Sequence, residues 1–303
     1  MRPQFITWKV RAPIDESFDL ESPFARVSSL SLGPYKTDEE MATKLVEHSQ
    51  HRICLHVFPR QVPEDGDIDW HPLDSIRIRI ASVLQKHDII IDEGAEHVLN
   101  LVVDDNPNAL FFAGLRKRRA GDPQTPGGLP RLSIPGHAPS RAWLKVEQAL
   151  AWRGWDKLDL RGRPALDLGC APGGASLALL DRGMKVCGID TGEMDEVVLR
   201  HDAGGFRHLR IPLSRLDITK LPPAFALLLC DINLGPPEVL PHIARLCESI
   251  PVERLILTLK MNQPVYEKRL DEFVHFIRCF APSPVVVTQL AANRKEVCVM
   301  AGR

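Results

Sequence analysis

The C-terminal half of the chain alternates short apolar runs with segments long enough to form helices. This alternation is typical of a mostly parallel sheet covered by helices on both faces. The last two runs are joined by too few residues for a crossover helix, so we expect those two strands to pair antiparallel. The apolar runs are Ala165–Leu166, Val186–Ile189, Phe225–Cys230, Leu255–Leu259, Val285–Val287 and Val297–Met300, with a further strand expected around residues 207–211.

The first part of the chain mixes strand and helix patterns in a different order. Thr37-Asp38-Glu39-Glu40 is a capping box that predicts a helix to about Gln50. A second helix is expected from Asp74 to about Lys86. The predicted strands are Phe5–Val10 and Ile53–Phe58, followed by a hairpin of Val98–Val103 and Leu110–Gly114 across Asp104–Asn108. These elements indicate an accessory α+β domain over residues 1–115.

The two patterned regions are separated by residues 116–139, which are rich in glycine, proline and basic side chains. Such a composition does not sustain a helix or a sheet, so the segment is interpreted as an interdomain linker. The predicted organisation is an N-terminal domain over 1–115, the linker over 116–139 and a second domain over 140–303.

Composition indicates the expected cellular location of the protein but does not identify its substrate. No apolar run approaches the length that spans a bilayer, and the N-terminus lacks a signal-peptide core, so we expect a cytoplasmic protein with no membrane partner. The seven cysteines form no CxxC pair, and no cluster of metal-ligand residues is seen, so no metal is expected. A formal net charge of −1 neither indicates nor excludes nucleic acid, and the oligomeric state stays open.

The string Asp167-Leu168-Gly169-Cys170-Ala171-Pro172-Gly173-Gly174 lies between a predicted strand and a predicted helix. Glycines at this position let the backbone approach a ligand at the carboxyl edge of a parallel sheet. Their GxxxGG spacing differs from the GxGxxG of dinucleotide-binding loops, and Pro172 removes an N–H that could hold a phosphate. The loop therefore favours a cofactor without phosphates over a nicotinamide.

Two aspartates further along are candidates for contacts with the same cofactor. Asp190 ends the next strand, twenty-one residues after Gly169, where an acidic side chain holds ribose hydroxyls in folds of this class. Asp217 follows the expected third strand and could contact an adenine amino group. The alternative for both is a helix cap or a solvated loop residue.

Asp167 to Gly174 resembles the S-adenosylmethionine (SAM) motif of the FtsJ-like ribose 2′-O-methyltransferases, and four further strings match that family in order. They are Ser140-Arg141-Ala142-Trp143-Leu144-Lys145, Cys230-Asp231, Leu259-Lys260 and Lys295-Glu296. The resemblance implies a Rossmann-like α/β methyltransferase fold and SAM as the cofactor. It implies that the cofactor-binding residues are Asp167, Gly169, Cys170, Ala171, Pro172, Gly173, Gly174, Asp190, Asp217 and Asp231.

Carried over position by position, the same strings give the catalytic Lys-Asp-Lys-Glu tetrad of the family as Lys145, Asp231, Lys260 and Glu296. A ribose hydroxyl is a poor nucleophile at neutral pH, so its attack on a sulfonium methyl needs a group that handles the charge of the departing proton. Lys260 is the candidate, as base or as electrostatic stabiliser. We expect Lys145 to disfavour the charged form of Lys260, and Asp231 and Glu296 to orient the two amines.

The resemblance is closest to the RlmM-type enzymes, since Gly128–Leu132 and Ala138–Arg141 look like the segment that precedes their catalytic domain. It implies methylation of a cytidine ribose in large-subunit ribosomal RNA and a THUMP-like RNA-binding domain upstream. Arg141 and Arg294 flank tetrad positions and are candidates for RNA contact, as is the basic run Arg116-Lys117-Arg118-Arg119. The alternatives are an FtsJ-like enzyme of another RNA, such as transfer RNA, and an idle RNA- or SAM-binding module.

Overall fold

The computed structural model describes residues 5–7, 9–18, 20, 22–48, 51–63, 68–104, 111–119, 121–201 and 205–303. The chain divides into two compact units, Met1–Arg131 and Leu132–Arg303. No helix among these residues is both long enough and apolar enough to cross a membrane.

Unit 1 is an α+β unit built on a five-stranded sheet in the order β1-β5-β4-β2-β3. β2 is parallel to β3 and β4, whereas β5 is antiparallel to β4 and β1. Its elements are β1 (Leu30–Tyr35), α1 (Asp38–Glu47), β2 (Arg52–Pro59), α2 (His71–Lys86), β3 (Ile90–Ile91), β4 (His97–Val103) and β5 (Phe111–Lys117).

Both predicted helices of unit 1 are present. Thr37 is confirmed as the N-cap of α1, since its hydroxyl accepts a hydrogen bond from the Glu40 N–H at 3.3 Å, which is one half of the predicted capping box. α2 begins at His71, three residues before the predicted start, because Pro72 in its first turn loses no helical hydrogen bond. The helices bury Leu45, Ile80 and Leu84 against one face of the sheet.

Two expectations for unit 1 are corrected. Phe5–Val10 forms no strand over its described residues 5–7 and 9–10, because no strand pairs with the segment there; Phe5 instead packs its ring 4.8 Å from that of Phe112. The predicted hairpin is confirmed as β4 and β5, with its turn outside the described residues. However, β5 extends through Arg116 and Lys117, so the segment interpreted as a linker begins inside a strand.

Unit 2 is a Rossmann-like α/β unit with a seven-stranded sheet in the order β11-β12-β10-β9-β6-β7-β8. Neighbouring strands from β10 to β8 are parallel, and β12 is antiparallel to both β10 and β11, as the sequence predicts. Its strands are β6 (Pro164–Leu168), β7 (Lys185–Ile189), β8 (Phe206–Leu209), β9 (Leu227–Cys230), β10 (Leu255–Lys260), β11 (Val285–Thr288) and β12 (Glu296–Ala301).

Helices cover both faces of this sheet. α3 and α4 pack with Leu150 and Leu177 in one apolar cluster, and α6 and α8 pack with Leu240 and Phe273 in the other. The helices are α3 (Ala142–Arg153), α4 (Gly174–Asp181), α5 (Glu196–Leu199), α6 (Pro236–Ser249), α7 (Pro264–Lys268) and α8 (Leu270–Phe280). Because the parallel strands end at one edge and β12 starts there, this carboxyl edge gathers side chains that are far apart in sequence.

Candidate active site

A closed ring of four charged side chains lies at the carboxyl edge of the unit 2 sheet. The Lys145 Nζ is 3.0 Å from Asp231 Oδ2 and 2.7 Å from Glu296 Oε2. The Lys260 Nζ is 2.7 Å from Asp231 Oδ1 and 2.7 Å from Glu296 Oε1. Each ammonium group thus bridges both carboxylates, and each carboxylate bridges both ammonium groups. The structure brings together the four residues of the predicted tetrad.

Each member reaches the ring from a different element. Lys145 is in the first turns of α3, Asp231 directly follows β9, and Lys260 is the last residue of β10. Glu296 is the first residue of β12 and lies directly opposite Lys260 in the antiparallel register. Directly paired residues project to the same face of a sheet, which explains how these two side chains meet.

The ring is sheltered and electrically balanced. Its side chains are only 12–20% exposed, and two positive charges face two negative ones. Burial alone would lower the pKa of Lys260, but attraction to Asp231 and hydrogen bonds to both carboxylates outweigh it and raise that pKa. Burial would raise the pKa of Glu296, but hydrogen bonds from Lys145 and Lys260 lower it.

These pKa directions correct one expectation. We expected the second ammonium to disfavour the charged form of Lys260, but the two carboxylates between the lysines dominate and hold Lys260 in its charged form. The sequence identifies the four residues but does not show that each lysine contacts both acids. That geometry determines whether the pKa of Lys260 is raised or lowered.

The predicted cofactor loop connects β6 to α4 beside this ring. Gly169 has a φ of +83°, and a Cβ at that position would lie 2.9 Å from the backbone nitrogen of Ile232. At Gly174, a Cβ would lie 2.6 Å from the Ser140 carbonyl oxygen. Gly173, with a φ of +121°, precedes the first turn of α4. Glycine is therefore required at Gly169 and Gly174 by close backbone packing, and it is favoured at Gly173 by the positive φ.

The remaining loop positions differ in what they offer a ligand. Cys170 is 2% exposed and its Sγ lies 3.6 Å from the Met194 sulfur, so its side chain belongs to the core. Ala171 donates its N–H to Asp190, and the Pro172 carbonyl accepts from the Asp195 N–H. Their hydrogen bonds fix the shape of the loop.

Asp167 is buried below this loop. One carboxylate oxygen accepts a 2.6 Å hydrogen bond from the Ser176 hydroxyl, while Oδ1 has no partner among the described residues. Burial raises its pKa to about 7, against the lowering effect of Ser176. Asp167 lines a small cavity together with Lys145 and Asp231, so an unpaired acceptor adjoins the ring.

Asp190 and Asp217, which were also predicted to bind the cofactor, differ from each other. Asp190 follows β7, and its carboxylate accepts from the N–H groups of Ala171 at 3.1 Å and Gly192 at 2.8 Å, which places it against the cofactor loop. Asp217 is exposed and accepts from both the N–H and the hydroxyl of Thr219. It caps a short 3₁₀ turn, which agrees with the alternative considered for it.

The basic run expected to contact RNA lies in unit 1 and is engaged there. The prediction for Arg116 is wrong, because its side chain is 1% exposed and forms an ion pair with Asp122. Lys117 is about half exposed and pairs with Glu96. The guanidinium groups of Arg118 and Arg119 donate to backbone carbonyls. Side chains alternate between the two faces of β5, so Arg116 is buried and Lys117 is exposed. A run of four basic residues in the sequence does not reveal this alternation.

The other two RNA candidates lie close in sequence to ring residues. Arg141 immediately precedes α3, four residues before Lys145, and is half-buried. Arg294 is exposed in the connection between β11 and β12, two residues before Glu296. Contact with RNA remains a prediction for both.

Three polar residues that sequence reasoning did not select support the site. Ser176 donates to Asp167, and Asn293 donates to Glu296 Oε2 at 3.3 Å. Gln148 is buried, and its Oε1 accepts from the Ala292 N–H at 2.8 Å. Gln148 lies three residues after Lys145 on the same helical face, a spacing that could have drawn attention to it.

Comparison with known proteins decides how this site is classified. Residues 138–267 match the family model described as FtsJ-like methyltransferase. Over these residues, unit 2 is similar to the FtsJ-like methyltransferases. The matched residues contain the cofactor loop and three ring residues, and Glu296 lies beyond them.

Curated relatives of the chain share one name, ribosomal RNA large subunit methyltransferase M. The protein of Azoarcus sp. (strain BH72) is 39% identical over 214 residues, which cover 66% of this chain and 55% of that protein. The protein of Azotobacter vinelandii (strain DJ / ATCC BAA-1303) is 42% identical over 89 residues, which cover 28% and 25%. The chain thus spans at most about half the length of these relatives.

Solved structures also resemble part of this chain at low sequence identity. The fibrillarin/Nop5p complex contains a chain that is 18% identical, with a TM-score of 0.43, over 54% of this chain and 82% of that one.

Proposed function

We propose that this protein transfers the methyl group of SAM to a ribose 2′-hydroxyl of RNA, on a cytidine of large-subunit ribosomal RNA. The observation that carries the proposal is the closed ring of Lys145, Asp231, Lys260 and Glu296 at the carboxyl edge of the sheet. The name shared by the curated relatives supports the choice of ribosomal RNA. The complete ring also argues against an idle binding module.

The residues around the cofactor loop fit SAM. Asp190 presents a carboxylate at the end of β7, the position that suits ribose hydroxyls, and the buried Asp167 has an oxygen free to accept a hydrogen bond. The loop glycines let the loop pack closely against Ile232 and Ser140, which fixes its shape at the carboxyl edge of the sheet. Bound SAM supplies an electrophilic methyl group on a sulfonium centre.

In the proposed mechanism, Lys260 acts on the ribose hydroxyl as an ammonium group. Its raised pKa keeps it charged near neutral pH, so it stabilises negative charge that develops on the attacking oxygen as the hydroxyl proton passes to solvent. Acting as a free base would require removing a proton held between Asp231 and Glu296. Lys145 completes the ring and keeps both carboxylates in place, which orients Lys260.

Unit 1 is proposed as a THUMP-like RNA-binding domain, and the protein as a cytoplasmic enzyme. The support for the first is its α+β sheet with two helices on one face and its position before unit 2. Arg294 is exposed and Lys117 is half exposed beside Glu96, so both are proposed to contact phosphates, whereas Arg116 is buried.

Methyl transfer from labelled SAM to ribosomal RNA, followed by nucleoside analysis, tests the proposal. Wild type is expected to yield labelled 2′-O-methylcytidine. Lys260→Ala is expected to lose transfer by about a hundredfold or more while SAM binding persists, since a charged group facing the reacting oxygen is removed. Lys185→Ala is the matched control, because Lys185 is an exposed lysine at the start of β7, at the opposite edge of the sheet. Label on a base, or a fully active Lys260→Ala, would refute the assignment of the ring.

A further inference from the structure

The ring is held from outside by a short connection, the β11–β12 loop (residues 289–295). Asn293 lies in this loop, and its Nδ2 donates to Glu296 Oε2, the same oxygen that accepts from Lys145. Glu296 can bridge both lysines only in one orientation of its carboxylate. A second donor on Oε2, the third on the carboxylate, fixes that orientation.

Asn293 is itself held by its own loop. Its Oδ1 accepts from the Leu290 N–H at 2.9 Å, and its N–H donates to the Leu290 carbonyl at 3.0 Å. Both ends of the side-chain amide are therefore used, the oxygen inside the loop and the nitrogen on the ring. An amide is the side chain that supplies an acceptor and a donor at once.

The loop is fastened at two further points. Ala292 donates its N–H to the buried Oε1 of Gln148, on the helix that carries Lys145. The Gln289 side chain donates to the carbonyls of Arg294, at 2.9 Å, and Glu296, at 3.3 Å. The loop thus ties α3, the source of one ring lysine, to β12, the source of one ring acid.

We propose that Asn293 is a positioning residue of unit 2, which fixes the Glu296 carboxylate between Lys145 and Lys260, and that Gln148 holds Asn293 in place. Asn293 acts through its hydrogen bond to Glu296. Its catalytic consequence rests on the proposed function, whereas its effect on Glu296 is a property of the folded protein.

Asn293→Asp separates the two uses of the amide. The new carboxylate still accepts from the Leu290 N–H, so the loop keeps its turn, but it faces Glu296 Oε2 with a like charge in place of a donor. Two neighbouring carboxylates raise the apparent pKa of the pair. If the role of Asn293 were confined to the loop, this substitution would change the apparent pKa of Glu296 little.

The experiment is a titration of Glu296 by NMR in full-length protein labelled with ¹³C at the glutamate carboxyl, with the signal assigned through Glu296→Gln. We expect the apparent pKa of Glu296 to rise by at least about one unit in Asn293→Asp and by less in Asn293→Ala, which removes the donor without adding charge. Gln85→Glu, the same amide-to-acid change at an exposed position of α2, is expected to leave Glu296 unchanged.

Methyl transfer gives the second readout. We expect kcat to fall about tenfold in Asn293→Asp with the KM for RNA unchanged, since a hydrogen bond to a charged group is lost. Equal Glu296 titrations in wild type and both Asn293 variants would overturn the proposal. That titration needs no turnover, so an inactive wild type would refute the proposed function while Asn293 is still tested.

Discussion

At the residue scale, the balance of charge in the ring decides which chemistry Lys260 can perform. Removing one carboxylate charge with Glu296→Gln weakens the attraction that raises the pKa of Lys260, so that pKa is expected to fall. If Lys260 acts as an ammonium group, misplacing it lowers kcat about tenfold or more at neutral pH. A pH–rate profile of wild type and variant, with the exposed Glu248→Gln as control, measures both effects. A Glu296→Gln variant with a higher rate than wild type at neutral pH would indicate that Lys260 acts as a base.

The residues of the ring could be predicted from the sequence, whereas their electrostatics could not. The family resemblance supplied the four positions, and the apolar runs place Lys260 and Glu296 at strand ends. The pKa of Lys260 depends on distances of 2.7 Å to two acids from other strands, which no one-dimensional pattern contains. Asn293 was missed for the same reason, because its partner is defined by a loop conformation.

At the element scale, the first turn of α4 packs directly against the backbone that precedes α3. Gly174→Ala would place a methyl group 2.6 Å from the Ser140 carbonyl oxygen, so we expect a loss of about 1–3 kcal/mol in the free energy of unfolding and weaker SAM binding. Gly136→Ala is the control, because a Cβ there has no atom within 4 Å. Urea unfolding and calorimetric titration with SAM measure the two effects. Wild-type values for Gly174→Ala would contradict the close packing.

Elements of unit 2 were predicted better than those of unit 1, and the reason is burial. Strands such as β9, Leu227–Cys230, are covered on both faces and appear as unbroken apolar runs. In unit 1, the alternating segment Phe5–Val10 has the letters of a strand but lacks one over its described residues, since a strand also needs a neighbour to pair with. Arg116 is the opposite case, because its basic side chain suggests an exposed position, but it is buried within a strand and forms an ion pair with Asp122.

At the scale of the whole molecule, the two units have separate apolar cores, and the core of unit 1 adjoins a buried histidine. His56 in unit 1 is 2% exposed, and burial, together with repulsion from Arg116 and Arg118, lowers its pKa from 6.5 to about 3. The unfolded chain therefore binds a proton at a higher pH than the folded one, so stability falls as the pH drops below about 6.5.

This uptake of a proton on unfolding makes the free energy of unfolding depend measurably on pH. Between about pH 6 and pH 4, His56 is expected to cost unit 1 about 1.4 kcal/mol per pH unit, and the slope should shrink by that amount in His56→Gln. Urea midpoints of both proteins across this range, with the exposed His275→Gln as control, provide the measurement. Parallel pH dependences of wild type and His56→Gln would show that His56 takes up no proton on unfolding.

The alternation of charge around the ring also determines how the protein responds to ionic strength. Two cations and two anions in contact cancel at a distance, so the ring adds no net field with which to attract a polyanion. Added salt should therefore weaken the capture of RNA by exposed cations such as Arg294 and leave the transfer step untouched. In kinetic measurements, the KM for RNA should climb with salt while the single-turnover rate at saturating RNA stays level. A single-turnover rate that falls along with RNA affinity would mean that the ring opens to solvent when the RNA is bound.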